Sequence, residues 1–158
     1  MKSMYRGLAV AVLQCALVLT VAGKYTYDRA HLPRVWAHVA PIDPNLPIRG
    51  RYLRLRAEVE APASAQGYLT VRLAEVDHRL TATEDAAGTV HITARPLSGK
   101  WTLVEPLAFY LPEHAQDPSR LQPGEELWVE VSVPVKGLPR PIRLGVKRNG
   151  VLEPLGLR

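Results

Sequence analysis

Residues 51–60 read Arg-Tyr-Leu-Arg-Leu-Arg-Ala-Glu-Val-Glu, and their apolar members recur at every second position. Successive side chains of an extended chain point to opposite faces. Leu53, Leu55, Ala57 and Val59 therefore share one side, and Tyr52, Arg54, Arg56, Glu58 and Glu60 share the other. This is the pattern of a strand buried on one face and wet on the other.

The same period continues outward from this stretch. Leu69, Val71 and Leu73 alternate with Tyr68, Thr70 and Arg72, and Val90, Ile92 and Ala94 alternate with Thr89, His91, Thr93 and Arg95. Residues 77–83 read as a weaker strand between them, and Glu84 to Gly88 as a short hairpin loop. Leu103 to Leu111 is a more apolar run broken by Pro106. A polar excursion then leads to Leu127, Val129, Val131 and Val133, which alternate with Glu126, Trp128, Glu130 and Ser132. Ile142, Leu144 and Val146 lead into Asn149-Gly150, the dipeptide suited to a type I′ turn, and a return strand at Val151 to Leu155. Fourteen prolines spread along the chain oppose long helices and favour short strands joined by turns. The expectation is a mainly β, antiparallel domain, sandwich-like or barrel-like.

The other end of the chain has a different period altogether. Residues 7–23, GLAVAVLQCALVLTVAG, carry no charge and lie between Arg6 and Lys24. As a helix they span about 26 Å, enough to cross a hydrocarbon core with Tyr25 and Tyr27 at its border. A cleaved signal peptide could use Thr20 and Ala22 as its small residues, but Val21, Gly23 and the following aromatics make a poor processing site. Retention as an anchor is therefore expected. Cys15 follows Gln14 rather than a small residue, so it reads as an apolar packing residue and not as a lipidation site.

This divides the chain into a cytoplasmic leader (1–6), a transmembrane helix (7–23), a juxtamembrane segment (24–48) and an extracytoplasmic β domain (49–158). Trp36 and Val39 are expected to dock on the domain, with Pro33 stopping any prolongation of the helix. Basic residues number two before the span (Lys2, Arg6) and three after it (Lys24, Arg29, Arg34), which leaves orientation undecided by charge. A short leader ahead of a long domain behaves as an uncleaved export signal, which places the domain outside. The formal charge of +5 falls to +3 without Lys2 and Arg6, too mild an excess to imply nucleic acid. No cysteine lies beyond the span, so the domain must be held by its core alone.

The stretch from Ile42 to Glu60, IDPNLPIRGRYLRLRAEVE, resembles the bacterial family named for its GDYXXLXY motif, whose members place a membrane helix and a DP segment ahead of it. Asp43, Pro44, Arg49, Gly50, Tyr52 and Leu55 fall on matching positions, while Arg51 and Ala57 stand where the family has Asp and Tyr. Phe109 to Val133 is similar to the family's YxVPEG-type segment with its polar linker and Val-rich strand, and residues 137–150 to its closing hairpin. The resemblance implies a single-pass protein of the bacterial inner membrane, its domain facing the periplasm or cell exterior, accompanying a multi-pass membrane protein. It implies no biochemical activity.

Asp43, Arg49, Gly50, Arg51 and Tyr52 are the first candidates for function. Asp43 can pair with Arg49 across the proline-rich turn, and Gly50 can supply a backbone conformation closed to other residues, which makes a turn brace. Arg49, Arg51, Arg54 and Arg56 form a basic cluster. It is either a platform for lipid phosphates or an acidic partner, or a solvated strand face balanced by Glu58 and Glu60. Tyr68 and Trp128 stand on polar strand faces, covering a second small core or forming a docking surface.

Five histidines show no metal-binding spacing, and no cofactor is expected. Asp77-His78 and Glu113-His114 would point apart if extended, and none of Ser64, Ser98, Ser119 and Ser132 lies in a nucleophile elbow. The expected function is a non-enzymatic, membrane-anchored interaction module. An envelope hydrolase is the alternative.

Overall fold

The computed structural model describes residues 2–42, 52–62, 65–94, 99–113, 115 and 117–156, with side chains from Tyr5 onward. Asp43, Pro44, Arg49, Gly50 and Arg51, and with them the expected turn brace, lie outside the described residues, as does His114. The chain forms two compact units, residues 1–32 and 33–158.

The first unit is one helix, α1 (Lys2–His31). Its segment Tyr5–His31 is long and apolar enough to cross a membrane, and none of it is buried. The hydroxyl of Thr20 donates to the Ala16 carbonyl at 2.7 Å, and that of Thr26 to the Gly23 carbonyl at 2.9 Å. These polar groups are thus satisfied within the helix, as an apolar surrounding requires. Proline has no N–H to give and disfavours helical geometry in the residue before it; the helix stops at His31, two residues ahead of Pro33.

The second unit is a sheet of ten strands: β1 (Arg34–Ile42), β2 (Tyr52–Val59), β3 (Tyr68–Val76), β4 (Arg79–Glu84), β5 (Val90–Ala94), β6 (Trp101–Leu103), β7 (Leu107–Tyr110), β8 (Glu126–Ser132), β9 (Arg140–Arg148) and β10 (Val151–Pro154). Their order is β10-β9-β8-β1-β2-β6-β5-β3-β4, with every neighbouring pair antiparallel. β7 and β6 pair with successive stretches of β2, Tyr52–Leu55 and Glu58–Val59. Pro106 in the link between them accounts for the broken apolar run of the sequence.

β4 returns to the end of β2. The Glu60 N–H donates to the Leu80 carbonyl at 2.9 Å, and the Ala82 N–H to the Glu60 carbonyl at 2.7 Å. The half of the sheet from β2 to β4 therefore rolls over its own inner face. The inner faces of this half and of β1, β8 and β9 supply the core, in which Leu55, Ile92, Leu103, Leu127 and Leu144 are all at most 1% exposed. Each such side chain contributes about 1.5–3 kcal/mol through removal from water. The expected inward rows of β2 and β8 point into it, as do Val71 and Leu73 of β3 and Val90 and Ile92 of β5, with Leu69 packed against it.

Three sequence expectations need correction. Residues 24–48 are not simply a stalk, because Arg34–Ile42 is a central strand between β8 and β2, with Val35, Ala37 and Val39 in the core. Its alternation was present, but Trp36 and His38 on its other face masked the usual polar partner set. Asp77 and His78 do not begin a strand; at φ 50° and 60° they form the two-residue turn joining β3 to β4. Glu84 to Gly88 does not close a hairpin, because Glu84 ends β4, and β4 and β5 both pair with β3 while the loop carries the chain from one to the other. Turn residues show that a chain turns, and not which strand it will pair with next.

Asn149 and Gly150, at φ 48° and 84°, form the expected primed turn between β9 and β10. Gly150→Val puts a branched side chain into the left-handed region, and we expect a loss of about 1 kcal/mol or more by chemical denaturation. An unchanged midpoint would contradict the turn assignment. Ahead of β8, the Gln122 N–H donates to the Glu125 carboxylate at 3.0 Å and Arg148 Nε at 2.6 Å. The Gln122 bond, then Arg148, hold the Glu125 pKa below the ordinary glutamate range. A lowered carboxylate pKa stabilises the fold above its unfolded value and loses that effect as pH falls through the folded one. Glu125→Gln should therefore lower the melting temperature at neutral pH and flatten its fall below about pH 4.

A candidate binding cleft lined by three tryptophans

The register of the sheet sets the outer faces of β9, β8, β1 and β2 side by side. Gly145 faces Trp128, Trp128 faces His38, and His38 Nδ1 lies 3.0 Å from Glu58 Oε2. The adjacent row runs Arg143, Glu130, Trp36. Gly145 is what lets the Trp36 ring lie over the sheet: a Cβ there would stand 3.0 Å from its indole.

The polar groups of this face are committed to one another. Arg143 Nε donates to Glu130 Oε2 at 2.6 Å, and the Arg143 guanidinium stands 5.4 Å from the Trp36 ring centre. Glu130 is thereby buried with its charge compensated, although its place in the alternation marked it as a wet position. Trp128 Nε1 donates to Glu126 at 3.1 Å, and Lys147 Nζ lies 5.0 Å over the Trp128 ring. His38 meets the edge of the same indole. Its Nδ1 faces Glu58 without the alignment of a hydrogen bond. Lys100 Nζ donates to Glu58 Oε2 at 2.7 Å.

Of these side chains, Trp36, His38, Glu58, Lys100 and Trp128 line an open cleft of about 800 Å³. Trp36 from β1, Trp101 from β6 and Trp128 from β8 all contribute to it, with His38, Glu58 and Lys100 between them. The chain has three tryptophans, so the cleft takes all of them. Glu60, Arg79, Asp77 and His78 form part of its rim, with Arg79 Nη1 bonded to Glu60. Its described lining contains no serine, threonine or cysteine. Among the described residues no three His, Cys, Asp or Glu side chains gather as metal ligands would.

Of the candidates read from the sequence, Trp128 belongs to this cleft. Tyr68 does not; it stands 59% exposed on β3, stacked on His91 at 5.2 Å. Tyr52 leans on Tyr110 on the outer side of β2, and Leu55 is wholly buried on the inner side. Arg54 and Arg56 lie half-buried on the outer side, opposite Ile42 and Ala40. Glu58 and Glu60 do not balance them as expected, because their carboxylates are engaged by Lys100 and Arg79. Arg54 and Arg56 make no ion pair among the described residues.

Trp36, His38, Glu58, Lys100 and Trp101 carry no sequence signal that marks them as one site. No local spacing joins them, since β6 and β8 reach the cleft only through pairing across the sheet. Comparison with protein-family models, curated proteins and solved structures found no match for the chain.

Proposed function

We propose that the chain is a non-enzymatic, membrane-anchored accessory domain of the bacterial inner membrane, held on the extracytoplasmic side and acting on a multi-pass membrane protein. The observation that carries this reading is the exposed apolar helix Tyr5–His31 preceding a separate β unit. A lone span with a small domain keeps a binding surface close to the bilayer, where its partner is concentrated. The resemblance of residues 42–60 to the GDYXXLXY family supports the same reading. Arg54 and Arg56, without an ion pair among the described residues, offer the basic face beside Tyr52 for an acidic patch on that partner or for lipid phosphates. A hydrolase would have to use the cleft without a hydroxyl or thiol from its described lining.

The test is crosslinking of the full chain in native membranes, followed by identification of the bound protein and repetition with Arg54→Ala/Arg56→Ala. We expect one multi-pass protein to be recovered reproducibly and lost from the double variant, whose melting temperature is unchanged. A wild-type chain that captures no membrane protein refutes the reading. A folded double variant that keeps the partner but no longer binds anionic vesicles assigns the arginines to lipid instead.

A further inference from the structure

We propose that the three-tryptophan cleft binds an uncharged saccharide. The inference does not depend on the partner proposed above.

The first ground is composition and shape. A cleft of about 800 Å³ lies within the range that encloses small ligands, roughly 300–1,000 Å³. Trp36 and Trp128 turn toward it from the outer face of the sheet, and the half-buried Trp101 lines it while packing against the edge of the core. Aromatic surface kept open in a concavity is surface for a guest with apolar faces.

The second ground is charge. Glu58, Glu60 and Asp77 stand among Arg79 and Lys100, and the principal charges are already paired: Lys100 with Glu58 and Arg79 with Glu60. An anionic guest has to compete with Glu58 and Glu60 for Lys100 and Arg79, and a cationic guest that engages Glu58 or Glu60 has to compete with those same two side chains. The places for a cation over Trp36 and Trp128 are also filled, by Arg143 and Lys147 of the chain itself. An uncharged guest breaks none of these contacts.

The third ground is hydrogen bonding. His38 and Lys100 both meet Glu58 at Oε2, which leaves Oε1 to accept from a hydroxyl. Adjacent hydroxyls set around an apolar C–H face are the chemistry of a pyranose ring. The ring stacks on the indole surface that Arg143 and Lys147 leave uncovered, that of Trp101 first, and sets its edge against Glu58. Hydrogen bonds to ionised groups are the stronger kind and fix orientation.

All three indoles line the cleft, so intrinsic fluorescence reports its occupancy directly. The full chain, held in a polyoxyethylene detergent to avoid sugar headgroups, is titrated with neutral tetrasaccharides of β-1,4-N-acetylglucosamine, β-1,4-glucose and α-1,4-glucose. Tetragalacturonate and choline serve as charged probes. We expect a saturable change of emission with at least one neutral probe, at a Kd of about 1 mM or tighter. Trp128→Ala and the isosteric Glu58→Gln should each weaken it about tenfold or more without lowering the melting temperature, whereas Tyr68→Ala should leave it unchanged. The proposal is overturned if no neutral probe saturates the signal, if choline or tetragalacturonate binds as tightly, or if both folded cleft variants bind like the wild type. Loss of the crosslinked membrane partner bears on the preceding reading alone.

Discussion

Leu55→Asp should leave the β unit without a cooperative thermal transition. Leu55 has no exposed surface and sits where β2 meets β1 and β7, at the centre of the core. Removing its side chain costs about 2–5 kcal/mol through lost burial and the space left behind. An unpartnered carboxylate in the same place adds several more, in total comparable with the roughly 5–15 kcal/mol that stabilises a whole domain. Arg54→Ala/Arg56→Ala alters the two neighbours on the opposite face and should leave the melting temperature nearly unchanged. Circular dichroism on the full-length variants decides the matter at about 220 nm, where helix and strand both absorb, with the domain transition followed by indole emission. A double variant that collapses while Leu55→Asp melts normally would reverse the assigned faces of β2.

Gly88→Ala should cost about 3 kcal/mol, a large effect for a single methyl group in a surface loop. A Cβ built at Gly88 falls 2.5 Å from the Val71 carbonyl oxygen and 2.8 Å from that of Asp85, both backbone atoms. Val71 belongs to β3 and is completely buried, so it cannot retreat without disturbing its pairing with both β4 and β5. The Gly88 N–H also closes the turn onto the Asp85 carbonyl at 2.8 Å. Gly156→Ala, where a Cβ meets nothing within 4 Å, is the control and should stay within about 0.5 kcal/mol of wild type in urea denaturation. Equal midpoints for the two variants would show that the loop does not press against β3.

What was legible in the sequence follows the physics of each element. The period of two between Tyr52 and Val59 fixed which side chains are inside because one face is buried and the other is not. Asn149-Gly150 announced its turn because few dipeptides accept two positive φ angles, whereas Asp77-His78 adopts them with no such local signature. β1 is hard to read from the sequence because Trp36 and His38 face outward where polar residues are usual. Their outward position became intelligible only with Gly145 and Glu130 brought beneath and beside them from β9 and β8. The cleft is the product of strand order, and strand order is long-range information. Trp128 was visible as an anomaly on its own strand; its companions Trp36 and Trp101 were not.

The account rests on a β domain tethered by an uncleaved helix, and the mature amino terminus in native membranes tests that most directly. Membranes holding the full chain are washed with high salt and then alkaline carbonate, and the retained protein is measured intact by mass spectrometry. The account predicts that the protein stays in the pellet with residues 1–23 still attached. A soluble chain beginning near Gly23 or Lys24 would contradict it, and would make the apolar helix an export signal and the β unit a free domain.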